Sequence, residues 1–302
     1  MWYVFYPTPS LRWLHHQITT RQNMKNSIKR LSINTLLGLT LATPSLTFAQ
    51  ETANENNDGG FLKIGYGYKH ETSPYQSEVK GSSLFVNGRY QWNGLFVEAF
   101  FGANERNEGL SVGYNFYNTD HWNFDINTVQ AHGDVNLVIG DGDKTIVQDY
   151  ENTDMLALRA TGFYDQTTLQ FLVAPYSFNS SYDDGIYASA WLGQAWQLKN
   201  WEFHASLGLE YRSEEIMDYY YAISNEQATE HLGAYDPSAG VDATAQVSLS
   251  YPISQHVVFE SYLKYTDYSG GVDKSPIMTL LSTIDGRSDK KTEFGLLVSY
   301  VF

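Results

Sequence analysis

Apolar and polar residues alternate along the chain from Phe61 to Phe302 with a period of two. This period indicates β-strands with one apolar face, because successive side chains of a strand point to opposite sides of the sheet. Eleven segments of roughly ten residues show it, a length that lets a tilted strand cross a lipid bilayer. The segment at 186–198 is the least regular, because Gln194 lies on its apolar face. A twelfth segment ends the chain and has the clearest apolar face, formed by Phe294, Leu296, Val298, Tyr300 and Phe302.

Short turns and longer polar connections alternate between these segments. The short turns lie at 91–94, 118–120, 164–166, 198–200 and 252–255, and the longer connections at 70–83, 103–108, 133–153, 177–185, 213–239 and 266–291. This arrangement predicts an all-β fold, a transmembrane antiparallel up-and-down β-barrel of about 12 strands with short periplasmic turns and long extracellular loops. A soluble β-sandwich or lipocalin-like barrel is the alternative, because its buried face also alternates.

The first 49 residues have a different composition, with five basic residues and no acidic one. Lys25, Lys29 and Arg30 precede an apolar stretch, and a small residue follows at Ala49, which is the layout of a secretory signal peptide cleaved between Ala49 and Gln50. Residues 1–23 do not fit that layout. The predicted organisation is a misassigned start or an extension at 1–23, a signal peptide at 24–49, a disordered lead-in at 50–60 and the barrel at 61–302.

Composition narrows the possible functions. Aromatic residues make up 15% of the chain while its mean hydropathy is −0.36, so the apolar residues are dispersed among polar ones, as in a barrel wall. The chain has no Cys, which excludes disulfides and thiolate ligands. Its 34 acidic residues outnumber the 19 basic ones, and an acidic surface repels a phosphate backbone. We therefore expect no nucleic-acid partner.

The face opposite the apolar one carries charges of both signs. If the apolar face meets lipid, these charges line the lumen, and no ring of a single sign forms there, so strong ion selectivity is not expected. We expect the charges to pair across the interior, although weak conduction remains open. They are Lys63, Lys69, Arg89, Arg159, Arg212 and Lys264, together with Glu98, Asp125, Glu202, Glu210, Asp242 and Glu260.

No set of residues has the spacing of a catalytic, cofactor or metal site. The eight His are scattered, and no Ser, His and acidic residue can be brought to one rim from the pattern. Asp141 and Asp143, like Asp183 and Asp184, resemble calcium ligands but lack the remainder of a calcium loop, and we interpret them as solvated turns. The sequence predicts no catalytic residue, no cofactor and no metal.

Two stretches of the chain resemble the MipA/OmpV family of outer-membrane proteins. The first is tyrosine-rich, running DYYYAIS from Asp218 and AYDPSAG from Ala234, and the second is DYSGGVDKSPIM from Asp267. The chain departs from the family pattern at Ala222 and Ile223, where a Gly-Val pair is commoner. The matching positions are Tyr219, Tyr220, Tyr221, Tyr235, Gly240, Asp273, Ser275 and Pro276, which we interpret as structural anchors where long loops fold over the rim.

The resemblance implies a non-enzymatic protein of the cell outer membrane of a Gram-negative bacterium. The family's founding member is described as a scaffold that joins a membrane-bound lytic transglycosylase to a bifunctional penicillin-binding protein in murein synthesis. Other members are described as porin-like proteins or adhesins, which gives two alternatives here: a small channel or a surface receptor. The terminal strand, with Tyr300 and Phe302, resembles the signal read by the barrel-assembly machinery. The expected partners are therefore outer-membrane lipid, that machinery and murein enzymes.

Overall fold

The computed structural model describes residues 58–74, 78–101, 109–133, 135–141, 144–150, 154–182, 184–229, 232–285 and 287–302. The predicted signal peptide, its cleavage site at Ala49 and Gln50, and residues 50–57 of the predicted lead-in lie outside these ranges. Within the described residues, no helix has both the length and the apolar character that a membrane span requires.

Twelve strands form a closed antiparallel barrel, in which each strand pairs with its neighbours and the last pairs with the first. Its first seven strands in order around the wall are β1 (Gly59–Thr72), β2 (Val79–Trp92), β3 (Leu95–Phe101), β4 (Gly109–Asn118), β5 (Trp122–Gln130), β8 (Asp154–Tyr164) and β9 (Thr167–Ser177). The remaining five are β10 (Tyr187–Leu198), β11 (Trp201–Arg212), β12 (Gly240–Pro252), β13 (Val257–Asp267) and β14 (Lys290–Val301). The predicted fold class is confirmed. β1 begins at Gly59, two residues before the predicted boundary of the barrel.

The long connections contain more regular structure than the sequence pattern predicted. The connection at 133–153 forms a two-stranded sheet of its own, β6 (Val135–Asp141) and β7 (Lys144–Tyr150). Both strands are rich in Val and Ile, which favour extended backbone. The connection at 213–239 contains helix α1 (Glu214–Tyr221), and that at 266–291 contains α2 (Gly270–Asp273) and α3 (Pro276–Asp285).

The short turns have the backbone that tight hairpins require. Asn93 and Gly94 join β2 to β3 with φ angles of 49° and 81°, the left-handed pair of a type I′ turn. Asp165 and Lys199 also have positive φ in the two-residue turns that follow β8 and β10. Both ends of the barrel sequence lie at this same end, because the amide of Phe302 donates to the carbonyl of Leu62 at 2.9 Å.

Burial in the barrel is the reverse of that in a soluble protein. On β11, Leu207 and Leu209 are 60% and 53% exposed, whereas Ser206 between Ala205 and Leu207 is only 3% exposed. The other barrel strands also expose large apolar side chains on the outside, while the inside holds buried polar and charged side chains together with apolar ones such as Phe96, Leu172 and Trp191. A soluble sandwich or lipocalin-like barrel buries its apolar face, so the arrangement excludes that alternative and fits a wall that meets lipid.

Candidate functional site

The interior carries a quartet of buried charges on one side of the barrel wall. Arg159 of β8 donates through Nη1 and Nη2 to the two carboxylate oxygens of Glu98 on β3, and through Nε to Asp125 Oδ2 at 2.9 Å. Arg89 of β2 lies beside the same carboxylates, 3.4 Å from Glu98 and 3.7 Å from Asp125. Two positive and two negative charges therefore neutralise each other away from water, the condition under which buried charges are tolerated.

The four charged residues of the quartet lie on β2, β3, β5 and β8. Their side chains can meet because β4, which runs between β3 and β5, leaves room for them. Asp125 and Arg159 face each other across β5 and β8, and Arg89 and Glu98 across β2 and β3. Between these pairs β4 carries Gly113, where a Cβ would meet Phe96 Cζ at 2.4 Å. The Phe96 ring in turn supports Arg89, whose Cζ lies 4.1 Å from the ring centroid. The ring shields the guanidinium and adds a cation–π contact.

A second group of charges lies on the adjoining part of the wall, on β1, β13 and β14. Lys63 of β1 pairs with Glu260 of β13, whose other oxygen accepts from the Ser299 hydroxyl at 2.5 Å. Tyr262 donates to Glu293 at 2.5 Å, and Lys69 lies 3.5 Å from that carboxylate. Lys264 is buried opposite Gln246 and Glu293 in the strand register. The sequence-predicted lumen charges of this group, like the four residues of the quartet, lie on the inward face of the wall. They are Lys63, Lys69, Glu260 and Lys264.

Three of the four remaining predicted lumen charges gather near the long connections, whereas Glu202, the second residue of β11, lies at the short-turn end opposite Gln197. Arg212, the last residue of β11, pairs with Asp242 of β12 and with Glu210, 3.0 Å from its Nη2. It also donates through Nε to the carbonyl of Ala131 at 2.5 Å, and Tyr187 lies under its guanidinium. This network joins the barrel wall to the connections above it.

Inward side chains have little contact with water at positions spread around the wall, and a small pocket remains beside Glu98, Arg159 and Gln170. The exposed fraction is only 1–3% for Asn87 on β2, Asn127 on β5, Gln170 on β9, Gln246 on β12 and Ser299 on β14. A water-filled channel would leave such residues accessible. The described interior is thus packed rather than open, and it contains paired charges of both signs.

Aromatic residues of the long connections form a cap over one end of the barrel. Tyr220 and Tyr221 of α1 are fully buried, with Ile216 and Met217 beside them on the same helix. Tyr219 packs against Tyr150 and Tyr182, with ring centroids 4.8 and 5.0 Å apart. Of these residues, Tyr219, Tyr220 and Tyr221 were singled out by their sequence motif, and their rings pack among the other aromatic side chains of this cluster. We call the described residues 213–229, 232–239, 268–285 and 287–289 the cap.

His132 completes this aromatic cluster and was not predicted from the sequence. Its ring stacks on Tyr220 with centroids 4.0 Å apart. Because Nδ1 lies 2.6 Å from the Gly133 carbonyl, which only accepts, Nδ1 carries the proton, and Nε2 accepts from the Tyr221 hydroxyl at 2.5 Å. Burial lowers the pKa of His132 to about 3, and the charge of Arg212 adds to this effect. His132 therefore stays neutral over the physiological range.

The other motif residues make the contacts that hold the connections at 213–239 and 266–291 in position. Tyr235 donates to the Gly271 carbonyl at 2.6 Å, which ties the two parts of the cap together. Gly240 begins β12, where a Cβ would lie 2.7 Å from that of Ser269. Ser275 and Pro276 start α3, because the amide of Thr279 donates to the Ser275 carbonyl and Pro is favoured at the first helical position. Asp273 lies 3.3 Å from Lys290 of β14.

A carboxylate trio on the cap was also missed by the sequence reasoning. Glu214 and Asp218 of α1 and Asp236 each offer an oxygen within 4.8 Å of the others. Burial raises the pKa of Asp218 to about 6, and the nearby charge of Asp236 contributes. Such a set has the chemistry of a cation ligand, but Glu214 and Asp236 are exposed and acidic groups commonly gather without an ion. The i, i+4 spacing of Glu214 and Asp218 on a helix was the available signal.

Near the opposite end, the last residues of the chain join the first strand. Tyr300 lies opposite Ile64 in the register and stacks on His256, with centroids 5.6 Å apart. The ring of Phe302 packs edge-on against Tyr300. The predicted assembly signal at these positions therefore coincides with the seam that closes the barrel.

Residues 64–302 match the family model described as "MltA-interacting protein MipA". The chain belongs to the MipA family. Membership of the MipA family together with an apolar exterior identifies an outer-membrane barrel. No curated protein sequence matches the chain.

The chain is similar to solved structures that are described as outer-membrane proteins or as porins. A loop-deletion mutant of the outer-membrane protein OmpT of Vibrio cholerae is 8% identical, covers 82% of this chain and 100% of its own, and gives a TM-score of 0.36. An anion-selective porin from Comamonas acidovorans is also 8% identical, with coverage of 82% and 100% and a TM-score of 0.39. The KdgM porin is 13% identical, with coverage of 79% and 99% and a TM-score of 0.37. Likeness at this level carries no argument about what this MipA family member does.

Proposed function

We propose that the protein is a non-catalytic scaffold of the outer membrane that holds a lytic transglycosylase and a penicillin-binding protein beside the murein layer. The observation that carries the proposal is the packed, charge-paired interior, in which Arg159, Glu98 and Asp125 are all at most 5% exposed. A barrel whose interior is filled offers its rims, not its lumen, to other molecules. The family description, which names an interaction with MltA, supports a partner of the lytic transglycosylase class.

The rim formed by the short turns is the surface on which these enzymes would dock. Each of the five turns presents an exposed residue there, so the surface is built from several small projections with mixed charge. These residues are Asn93, His121, Asp165, Lys199 and Ile253. A contact spread over five turns has modest area, so we expect weak, reversible binding.

The scaffold proposal is tested by binding with the complete mature barrel. The barrel, folded in detergent and immobilised, is expected to retain a purified MltA-type lytic transglycosylase. A variant with Asp165→Ser, Lys199→Ser and Ile253→Ser is expected to lose that retention. The control is Glu214→Gln, which changes an exposed charge at the cap instead. Equal retention by an unrelated outer-membrane barrel, or none by this one, would overturn the proposal.

The packed interior also bears on the porin-like alternative. A general diffusion channel requires an open lumen, whereas the described interior residues exclude water around the wall. We therefore expect the folded wild-type barrel to give no conductance steps in a planar lipid bilayer. Large, frequent steps from a preparation of verified fold would favour the channel over the scaffold.

A surface receptor is a second candidate, favoured by one feature of the cap. Glu214 and Glu215 at the start of α1 are exposed, and the exposed Asp236 lies near them, so this part of the cap is acidic. A cationic surface or peptide would be the complementary ligand. Substituting all three residues by their amides should abolish such binding without altering the barrel. Unchanged adhesion or ligand capture by that variant would remove this candidate.

A further inference from the structure

The attachment of the cap to the barrel converges on Arg212. This residue is the last of β11 and precedes the connection that contains α1. Its guanidinium pairs with Asp242 on the neighbouring strand and donates through Nε to the Ala131 carbonyl, where the chain leaves β5. A single planar group thus links the start of β12 to the chain that leaves β5, which the fork geometry of Arg allows and a point charge does not.

Asp242 extends the same attachment to the other part of the cap. Its Oδ1 accepts from the backbone amide of Ser269 at 2.7 Å, while its Oδ2 accepts from Arg212. Ser269 immediately precedes α2, so the carboxylate fixes the start of the connection that carries α2 and α3. The Arg212–Asp242 pair therefore contacts the chain after β5, through Ala131, and the chain after β13, through Ser269.

Two other forces keep the cap in place. Ile216, Met217 and the cap residue Ile277 are at most 1% exposed, so closure removes large apolar side chains from water. Ser213 forms two hydrogen bonds with Ile186, one from its amide at 2.9 Å and one to its hydroxyl at 3.0 Å. The closed arrangement is the resting one for these reasons.

The interior is not a dry apolar core. Gln246 is 2% exposed, and among the described residues neither its Nε2 nor its Oε1 has a hydrogen-bond partner. Ser206, directly opposite on β11, has a hydroxyl without a partner in the same part of the chain. Buried polar groups without partners destabilise a packed state, and hydration satisfies them. Water that enters this part of the lumen can therefore form hydrogen bonds with these groups, which an apolar core would not allow.

We propose that the Arg212–Asp242 pair is a latch, and that the cap it holds is a movable lid over the barrel. In the latched state the lid covers the packed interior. Release of the pair removes the charge that orients Arg212 toward Ala131 and Asp242 toward Ser269, so the chain beside His132, whose ring packs on Tyr220, and the start of α2 loosen together. The two parts of the cap then lift as a unit joined by Tyr235 and Gly271. This role goes beyond the scaffold function, which uses the opposite rim.

Chymotrypsin tests the latch, because it cleaves after Tyr and both Tyr220 and Tyr221 are buried while the lid is closed. The variants are Arg212→Gln, and Asp242→Asn as the milder change that keeps an oxygen for Ser269. Only the fraction that migrates as folded barrel without heating is assayed. Cleavage at these tyrosines is expected to be about tenfold faster than in wild type, since cleavage follows the population of the open form.

Arg159→Gln is the matched control. Arg159 is also a buried Arg with two carboxylate partners on barrel strands, Glu98 and Asp125. Unlike the Arg212–Asp242 pair, which also contacts Ala131 and Ser269, its described ion pairs stay within the barrel wall. The substitution is expected to lower the stability of the barrel and to leave cleavage at Tyr220 and Tyr221 unchanged. Equal cleavage in wild type and both latch variants, or equal acceleration by Arg159→Gln, would overturn the latch. Retention of the lytic transglycosylase is expected to stay unchanged in the latch variants, so the two proposals fail separately.

Discussion

Arg159 and Glu98 meet inside the barrel although two strands, β4 and β5, lie between the strands that carry them. Both side chains are at most 5% exposed, and Arg159 is shared with Asp125. Removing one partner of a buried pair leaves the other charge without compensation, which is more harmful than never having had the pair. The quartet is therefore a sensitive point of the barrel wall.

Arg159→Ala is expected to destabilise the barrel by about 3 to 5 kcal/mol, because Glu98 and Asp125 are left facing each other in a dry interior. The loss is measured as a lower temperature, or lower urea concentration, for conversion of the folded to the unfolded electrophoretic form. The double variant Arg159→Ala with Glu98→Gln should recover part of the loss. Additive losses in the two single variants would show that the pair is not coupled.

His132 makes the closed cap weaker in acid. Its pKa is about 3 in the closed cap and near 6.5 in an open one, so between these values only the open form binds the proton. The free energy that favours the closed cap over the open one therefore falls by about 1.4 kcal/mol for each pH unit between 6.5 and about 3. Hydrogen exchange of residues 214–221 should report this loss in wild type as a protection free energy that falls with decreasing pH. In His132→Gln, compared with wild type at each pH, that dependence on pH should be smaller. Identical slopes would contradict it.

Asp218 acts in the opposite direction. Its pKa of about 6 lies above the ordinary value, so the closed cap binds the proton more tightly and gains stability as the pH falls through 6. Above pH 6 the charge is repelled by Asp236 and poorly solvated. Asp218→Asn is therefore expected to slow hydrogen exchange in α1 at pH 8 and to have little effect near pH 4. Faster exchange at pH 8 would mean that the charge stabilises the helix.

Gly208 on β11 supports an indole ring directly. A Cβ at this position would meet three carbons of the Trp191 ring at 2.6 Å. Gly208→Val is expected to reduce barrel stability by about 1 to 3 kcal/mol, because the ring must leave its packed position. Gly133→Ala is the control, since a Cβ there would have no atom within 4 Å of it among the described residues. Equal folding yields in detergent for the two variants would contradict the expected clash.

Leu207, near the middle of β11, tests whether the exposed apolar face meets lipid. Leu207→Arg is expected to cost about 2 to 4 kcal/mol when the barrel is folded into bilayer vesicles. Asn200→Arg, in the turn before β11, is expected to have almost no effect because it lies beyond the hydrocarbon region. Comparable stability of the two variants in vesicles would place the outer face in water.

The barrel was predictable because alternation sets both the strands and their faces, and a one-residue shift would place Leu207 inside and Ser206 outside. The starts of α1 and α3 were also encoded locally, by Ser213 before two acidic residues and by Ser275 before Pro276. The sequence analysis nevertheless predicted loops there, because the connections that contain these helix signals are long and polar.

The contacts across the interior had no comparable local signal. Arg159 and Glu98 are 61 positions apart, and His132 and Tyr221 are 89 apart. Which inward residues meet depends on the strand register and on Gly113 leaving a gap on β4, and neither quantity follows from alternation. The predicted lumen set contained the four residues of the quartet but not the buried Glu293, and alternation alone could not pair its members.

The ten residue pairs between β1 and β14, from Lys63 with Val301 to Thr72 with Thr292, have a consequence for biogenesis. A truncated polypeptide that stops before Lys290 would present two unpaired strand edges, one on β1 and one on β13, to hydrocarbon. Unpaired backbone groups are prohibitively unfavourable there. Insertion should therefore be all-or-none, and a translation product that lacks its final strand should be degraded in the periplasm instead of accumulating as a shorter barrel.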